Sequence, residues 1–320
     1  MAESKTAKAP LAGNQAINQL AFVVRDIEEA CEAFSSLLGV PKPGWFLTGD
    51  QEVSKVIYRG MPTASRSKLA FLNTPTVQFE LIEPNEEPGT MREFLDRAGE
   101  GIHHIAFDVK SIRERMPFFE ESGYSSLQSG EFTASEGRYV YADTLKDCKI
   151  LVELLESSEA RTTAAAQESH SPLLGTNIVE QLAIVVKDLE LAAEAYCKLL
   201  GADMPPIIQS GPSETTQVMF RGQPTEGKSR YMFINTPFIQ IELIEPGDSP
   251  STWQEHLEKY GEGVHHISFV VDNLDEKVRL LEGMGYPVIQ TGNFFNGKGR
   301  YAYMDTTSAF SVIIELLERY

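Results

Sequence analysis

Two stretches decide the fold: residues 19–39, QLAFVVRDIEEACEAFSSLLG, and residues 181–201, QLAIVVKDLELAAEAYCKLLG. Each reads as a short apolar run, an Asp suited to cap a helix, an amphipathic run and a Gly that stops it. Working outward, NTPTVQFELIEP (73–84) matches NTPFIQIELIEP (235–246). GEGIHHIAF (99–107) matches GEGVHHISF (261–269), and GRYVYADT (137–144) matches GRYAYMDT (299–306). All keep one offset, 181 − 19 = 162. Roughly 60 of about 140 aligned positions are identical, so the chain is an internal duplication.

Between the copies lies SSEARTTAAAQESHSPLLGT (157–176), small, polar and without periodicity. The organisation expected is a flexible tail over 1–15, a first domain over 16–156, a linker over 157–177 and a second domain over 178–320. The 320 residues carry 28 basic and 46 acidic side chains, a net charge of −18. That balance repels nucleic acid and anionic lipid, so neither is expected as a partner. Cys31, Cys148 and Cys197 are sparse and unpaired in spacing, which fits buried thiols in a reducing compartment. The first residues lack the apolar core of a signal peptide, and no run is long enough to span a bilayer. A soluble, cytoplasmic protein is expected.

Within the first copy, strands are expected at Gln19–Val24, Lys55–Tyr58, Lys68–Leu72, Val77–Ile82, His103–Val109, Arg138–Tyr141 and Ile150–Leu155. Helices are expected from Asp26 to Gly39 and near Ile112–Ser122. The order amounts to two βαβββ units per copy and four in the chain, an α+β fold. Period-two alternation assigns faces. Leu20, Phe22, Val24, Phe79 and Leu81 should meet the helices, whereas Gln19, Glu80, His104 and Glu153 share the opposite face. Gln181, Glu242, His266 and Glu315 are their equivalents. Small neighbours (Ala21, Ala106, Ala183, Ser268) leave room for a ligand there. The same alternation puts His103 and His265 on the packing face. A lone strand Gln, His or Glu is often only a structural or solvated residue. Recurrence of all four in both copies favours a metal set.

Those blocks, QLAFVV/QLAIVV, ELIEP/ELIEP, GEGIHHIAF/GEGVHHISF and VELLE/IELLE, resemble the vicinal oxygen chelate superfamily. That superfamily includes glyoxalase I, methylmalonyl-CoA epimerase, extradiol dioxygenases and bleomycin-resistance proteins. The GEG-hydrophobic-HH block is particularly similar to methylmalonyl-CoA epimerases. The resemblance implies that the four βαβββ modules pair into two cupped half-barrels. It also implies that the first and last strands of each unit supply metal ligands, here Gln19, Glu80, His104 and Glu153, with Gln181, Glu242, His266 and Glu315. Gln replaces the His that many relatives carry at the first position. Three oxygens and one nitrogen suit a divalent ion such as Zn, Co, Ni or Mn, with coordination positions left for substrate.

The activity implied is a metal-dependent isomerase or epimerase acting next to a carbonyl through a stabilised enolate or enediolate, on a small-molecule carbonyl substrate. Glu153 and Glu315, as ligands that can be displaced, are the implied bases. Arg138, Tyr139, Arg300 and Tyr301 are candidate substrate-binding residues, an Arg meeting a carboxylate or phosphate and the Tyr hydroxyls hydrogen-bonding it. Gln78 and Gln240 are candidate donors behind the ligands. A glyoxalase-like lyase is an alternative, though Val23, Pro84, Val185 and Pro246 stand where glutathione-contacting polar residues are found in similar enzymes. An extradiol-type dioxygenase is another, against which stands the single His per set. A third is a non-catalytic antibiotic-binding protein, which the retained ligand sets and the absence of a clear stacking pair from Trp45 and Trp253 oppose. The loops EFTASE and NFFNGK differ, so the two sites can differ in specificity. Completion of each site within or between copies stays open, as does a monomer (a pseudo-dimer) against a homodimer.

Overall fold

The computed structural model describes residues 9–133, 135–157, 170–294 and 297–320. The first half runs β1 (Gln19–Val23), α1 (Ile27–Leu38), β2 (Phe46–Leu47), α2 (Gln51–Ser54), β3 (Ile57–Tyr58), β4 (Met61–Pro62), β5 (Ser67–Asn73) and β6 (Gln78–Pro84). It continues through α3 (Thr90–Ala98), β7 (Gly101–Asp108), α4 (Ile112–Glu121), β8 (Ser126–Glu131), β9 (Gly137–Ala142), α5 (Leu145–Cys148) and β10 (Leu151–Ser157). The second half repeats the order: β11 (Gln181–Val185), α6 (Leu189–Leu200), β12 (Ile208–Gln209), α7 (Ser213–Thr216), β13 (Met219–Phe220), β14 (Gln223–Pro224), β15 (Ser229–Asn235) and β16 (Gln240–Pro246). After these come α8 (Thr252–Tyr260), β17 (Gly263–Val270), α9 (Leu274–Gly283), β18 (Val288–Asn293), β19 (Gly299–Met304), α10 (Thr307–Phe310) and β20 (Ile313–Arg319).

Each half is one curled ten-stranded sheet, in the first half ordered β2-β5-β6-β1-β7-β10-β9-β8-β3-β4. The α+β class and the two βαβββ units per half are as the repeat predicts. One unit is β1-α1-β2-β5-β6 and the other β7-α4-β8-β9-β10. They join through antiparallel β1 and β7, while β1 runs parallel to β6 and β7 parallel to β10. The four strands β6-β1-β7-β10 are therefore contiguous at the middle of the sheet, and they are the four that carry the candidate ligands.

Helix α1 forms where expected because its ends are chemically specified. The Asp26 carboxylate accepts from the backbone N–H groups of Glu28 and Glu29 at 2.9 and 3.1 Å. Gly39 ends it at φ +68°, where a side chain would be strained. Its apolar stripe, with Ile27, Cys31, Phe34 and Leu38, packs on Leu20, Phe22, Phe79 and Leu81. The Phe34 ring centroid lies 4.8 Å from Phe22 and 5.6 Å from Phe79.

The core does not stop at the repeat boundary. Helix α1 packs on α10 of the second half, and α6 packs on α5 of the first, as an approximate two-fold requires. Phe34 meets Phe310 at 5.5 Å. At the related contact Tyr196 fills the place of Phe34, and its hydroxyl donates to the carbonyl of Cys148 at 2.9 Å. All three cysteines are buried without disulfides. Burial pushes Cys31 up to about 11 and Cys148 up to about 12, which keeps both as neutral thiols.

Two expectations about the connecting segments change. Residues 1–8 of the expected tail lie outside the described residues, and beyond them Leu11 and Ala12 are buried, the Leu11 N–H donating to the Leu199 carbonyl at 3.0 Å. Leu11 and Ala12, among nearby polar residues, are apolar enough to seek the inter-half seam. Of the expected linker, residues 158–169 lie outside the described residues. Leu173 and Leu174 beyond them pack against the core, the Leu173 N–H donating to the Leu37 carbonyl at 3.1 Å. No helix among the described residues is long and apolar enough to cross a membrane.

Candidate metal centre

Side chains alternate along a strand, so four neighbouring strands with one polar residue each on the concave face bring those residues together. In the first half Glu80, His104 and Glu153 place one ligand atom each within 4.8 Å of one another, and Glu242, His266 and Glu315 do so in the second. All six are buried. His104 Nε2 lies 3.0 Å from Glu153 Oε2 and 3.4 Å from Glu80 Oε2. His266 Nε2 lies 3.1 Å from Glu315 Oε2 and 3.4 Å from Glu242 Oε2.

Gln19 and Gln181 stand at the floor of the same cups. Their amide orientation is set by a chain of amides. Gln19 Nε2 donates to Gln78 Oε1 at 2.8 Å, and Gln78 Nε2 donates to Asn73 Oδ1 at 2.8 Å. Gln181, Gln240 and Asn235 repeat this at 2.7 Å for both links. Gln78 and Gln240 thus accept from the ligand-position glutamines, the reverse of the donor role expected. With Nε2 occupied, the amide oxygen is the atom left for a cation. Ser268 caps the Gln181 oxygen at 2.9 Å, whereas Ala106 takes that place beside Gln19.

His103 and His265 do not lie on the packing face. The β1–β7 register shifts between Ala21 and Phe22, so that Ala21 pairs with His104 and Phe22 with Ile102. His103 is the extra residue of a β-bulge, which breaks the alternation there. The second half has the same shift between Ala183 and Ile184. The bulge brings His103 Nδ1 to 2.9 Å from His104 Nδ1, and His265 Nδ1 to 2.8 Å from His266 Nδ1. Burial and the charge on His104 hold His103 well below the usual histidine range, so it is neutral. The His104 Nδ1–H therefore donates to His103 Nδ1, and His104 Nε2 is aimed at the carboxylates. Replacing His103 with Leu removes that acceptor and frees the ligand ring. Zinc affinity of that half should fall about 10–100-fold with the fold retained, whereas unchanged zinc titrations would reject this role.

Burial opposes charge on His104, but the adjoining carboxylates of Glu153 and Glu80 outweigh it and raise its pKa to about 9. His266 is raised to about 9 by Glu315 and Glu242 against the same penalty. Burial pushes the Glu242 carboxyl up, offset in part by His266. The fit to a divalent cation rests on what these atoms lack. Gln19 Oε1, His104 Nε2, Glu153 Oε2, His266 Nε2 and Glu315 Oε2 are buried without a hydrogen-bond partner among the described residues. Such a convergence of unsatisfied oxygens with an imidazole nitrogen is costly unless a cation organises it. Two carboxylates, an imidazole and an amide oxygen per site match a divalent ion with open positions.

Above each floor lies a cavity, about 430 Å³ in the first half and about 390 Å³ in the second. Among the described residues each is lined only by its own half, so each ligand set is gathered within one copy. Tyr139, Tyr141, Tyr301 and Tyr303 line the cups. Arg138 and Arg300 alternate to the other face of β9 and β19 and do not line them. Arg138 pairs with Glu156 at 3.3 Å, and Arg300 is held by Glu318 and Asp275 at 2.6 and 2.8 Å. The sequence reading paired these arginines with the tyrosines by proximity alone, although neighbours on a strand point oppositely.

Helices α3 and α8, which close one side of each cup, were missed. Their signal is present: Met91, Phe94, Leu95 and Ala98 stand at helical spacing after the turn Pro88-Gly89. No clear stacking pair was expected from Trp45 and Trp253, but Trp253 on α8 does meet an aromatic partner. It lines the second cup edge-on to Tyr231 at 5.8 Å. Trp45, by contrast, stays at the surface, with Lys68 over its ring.

The sequence model described as the Glyoxalase/Bleomycin resistance protein/Dioxygenase superfamily matches residues 18–141 and 180–304. An uncharacterised protein of Bacillus subtilis (strain 168), YqjC, is 32% identical over 95 residues, 29% of this chain and 67% of that protein. An ethylmalonyl-CoA/methylmalonyl-CoA epimerase of Cereibacter sphaeroides is 28% identical over 117 residues, 36% of this chain and 76% of the epimerase. The mitochondrial methylmalonyl-CoA epimerase of Mus musculus is 31% identical over 118 residues, 36% of this chain and 57% of that enzyme. A mutant 4-hydroxymandelate synthase from Streptomyces coelicolor superposes over 96% of this chain and 93% of its own, with a TM-score of 0.58 at 15% identity, a likeness of fold. The tandem matches and the two curled sheets agree: the chain belongs to the glyoxalase/bleomycin resistance protein/dioxygenase, or vicinal oxygen chelate, superfamily.

Proposed function

We propose that the chain is a divalent-metal-dependent isomerase or epimerase that moves a proton on the carbon next to a carbonyl, with one site in each half. The observation that carries this reading is the buried Gln/Glu/His/Glu set at the floor of each cup, in which the Glu, His and Glu ligand atoms converge and the His Nε2 and last-strand Glu Oε2 have no hydrogen-bond partner among the described residues. A divalent ion held there by Gln19, Glu80, His104 and Glu153, or by Gln181, Glu242, His266 and Glu315, supplies Lewis-acid polarisation of the carbonyl. The protein's own groups do the rest. Glu153, or Glu315, takes the proton from the activated carbon and returns it. Glu80 approaches from β6, across β1 and β7 from Glu153, and so can serve the opposite face, as inversion requires. Tyr139 and Tyr141, pushed up by burial and by Glu153, keep their protons and line the cup as neutral groups. Similarity to two acyl-CoA epimerases supports a substrate whose C–H is acidified by a carbonyl or thioester.

The test is solvent deuterium incorporation next to the carbonyl. The zinc-loaded chain is incubated in deuterated water with α-hydroxyketones and malonyl-type thioesters. Exchange should fall at least about 100-fold in the Glu153→Gln/Glu315→Gln double variant. Exchange that persists in that variant would assign the proton to another base. No exchange with any such compound would leave a binding protein as the better reading.

A further inference from the structure

The floors of the two cups are nearly identical, but their walls are not. Leu69, Met91, Ser65 and Glu131 of the first cup stand where the second has Tyr231, Trp253, Gly227 and Asn293. The first wall adds the hydroxyl of Ser67, together with Arg66. Arg66 is half-buried, and its Nε donates to the Thr48 carbonyl at 2.7 Å, which fixes the guanidinium against β2. It makes no ion pair with a carboxylate among the described residues. The acidic residue of the same wall, Glu131, is taken by Lys55 at 2.9 Å. The first cup therefore offers a positioned cation opposite its metal-competent floor.

The second cup lacks that feature. Lys228 stands where Arg66 does, but it pairs with Glu226 and does not line the cavity. Arg319 lines it but is bonded to Glu180. In their place Tyr231 and Trp253 extend an aromatic lining that both cups share, Phe71 and Tyr139 in the first answering to Phe233 and Tyr301 in the second. Trp253 is edge-on to Tyr231 and to Tyr303, both at 5.8 Å, and Tyr231 stacks on Phe233 at 6.4 Å. Aromatic faces and edges in these arrangements favour a flat apolar guest over a charged one.

We propose that the two halves are divided in specificity: the first takes a carbonyl compound whose far end is an anion, carboxylate or phosphate, bound by Arg66, and the second takes one whose far end is a flat uncharged ring seated among Tyr231, Trp253 and Tyr301. The division rests on the proposed proton-transfer reading for the shared reacting end, whereas the tail preference stands on the walls alone. A guanidinium pairs two oxygens of a carboxylate or phosphate at once, which a serine wall without it cannot do.

Two probes with the same hydroxyketone head separate the tails: dihydroxyacetone phosphate and 2-hydroxy-1-phenylethanone. Each is titrated calorimetrically into the zinc-loaded full chain, with inorganic phosphate as the control for an anion alone. Arg66→Gln should weaken dihydroxyacetone phosphate at least about tenfold, Arg66→Lys less, and neither should move the phenyl ketone. Trp253→Leu should weaken the phenyl ketone at least about tenfold and leave the phosphate compound unchanged. Retained zinc content certifies that each variant is folded. Equal losses for both probes in either variant, no loss in both variants, failure of both probes to bind, or inorganic phosphate binding as tightly as the phosphate ketone would overturn the division. Should the chain hold no zinc, the proton-transfer reading fails by itself, and the same titrations on the metal-free chain still decide the tail preference.

Discussion

Glutamine in place of Glu80 is expected to lower the zinc content of the saturated chain from about two ions to about one, and Glu242→Gln is expected to remove the other. The substitution keeps the size of the side chain and removes one negative charge from a buried site. Two carboxylates per site neutralise a dication, and with one gone the ion carries uncompensated charge at a largely desolvated floor. Among the described residues each cup is built from one half, so the loss should be confined to the mutated half. Elemental analysis after dialysis reads the result. Loss of both ions from either variant would mean that the sites are coupled, and retention of both would remove these residues from the ligand set. A proton should leave as each ion binds. In the metal-free protein His104 and His266 are raised to about 9, because the paired glutamates outweigh burial, so at pH 7.5 both carry the proton that an ion must displace. Affinity should therefore rise about tenfold per pH unit from pH 7 and level off above about 9. Calorimetry in two buffers of different protonation enthalpy would detect the released proton, and a flat pH profile would contradict the ion's entry between His and Glu.

Much of this site is legible from period two because alternation is a local property of a strand. Gln19, Glu80, His104 and Glu153 are each one residue away from side chains that must face the helices, which leaves them one direction to point. The same rule fails at His103 because a bulge is set by pairing between β1 and β7, two strands far apart in sequence, and not by either strand alone. The tyrosine wall was half visible. Gly130 lies against the Tyr139 ring, where an added methyl would sit 2.6 Å from the hydroxyl oxygen, and Gly292 repeats this under Tyr301. A glycine inside a strand marks such close approach, but it does not name the ring that covers it. Arg138 was misplaced by reading adjacency as proximity. The cup walls escaped for a different reason: Leu69, Met91 and Arg66 come from separate elements, and only the curl of the sheet brings them above one floor.

Alanine at Phe34 is expected to destabilise the whole chain by about 3–5 kcal/mol, the range for a large aromatic removed from a closed core. Phe34 is fully buried and touches the rings of Phe22, Phe79 and Phe310 at 4.8, 5.6 and 5.5 Å, so three neighbours lose contacts and cannot collapse into the gap without moving two strands and a helix. Leucine there should cost about 1–2 kcal/mol, since most of the volume is kept. The related residue Tyr196 gives an internal comparison. Tyr196→Phe keeps the ring and deletes only the hydrogen bond to the Cys148 carbonyl, so about 1–2 kcal/mol is expected there. Phe34 belongs to one half and Phe310 to the other, so the loss should lower the midpoint of a single unfolding transition common to both halves. Urea denaturation followed by far-ultraviolet circular dichroism measures the size, and in a Trp45→Phe background Trp253 fluorescence reports the second half alone. A Trp253 transition that stays at its wild-type midpoint while the first half unfolds early would show that the halves fold independently across the Phe34–Phe310 contact. The same cluster ties stability to chemistry. Phe22 and Phe79 lie on β1 and β6, whose opposite faces carry Gln19 and Glu80, so slack beneath those strands should loosen the first metal centre before the chain unfolds. Zinc content of Phe34→Ala below its unfolding midpoint should therefore fall in the first half and hold in the second.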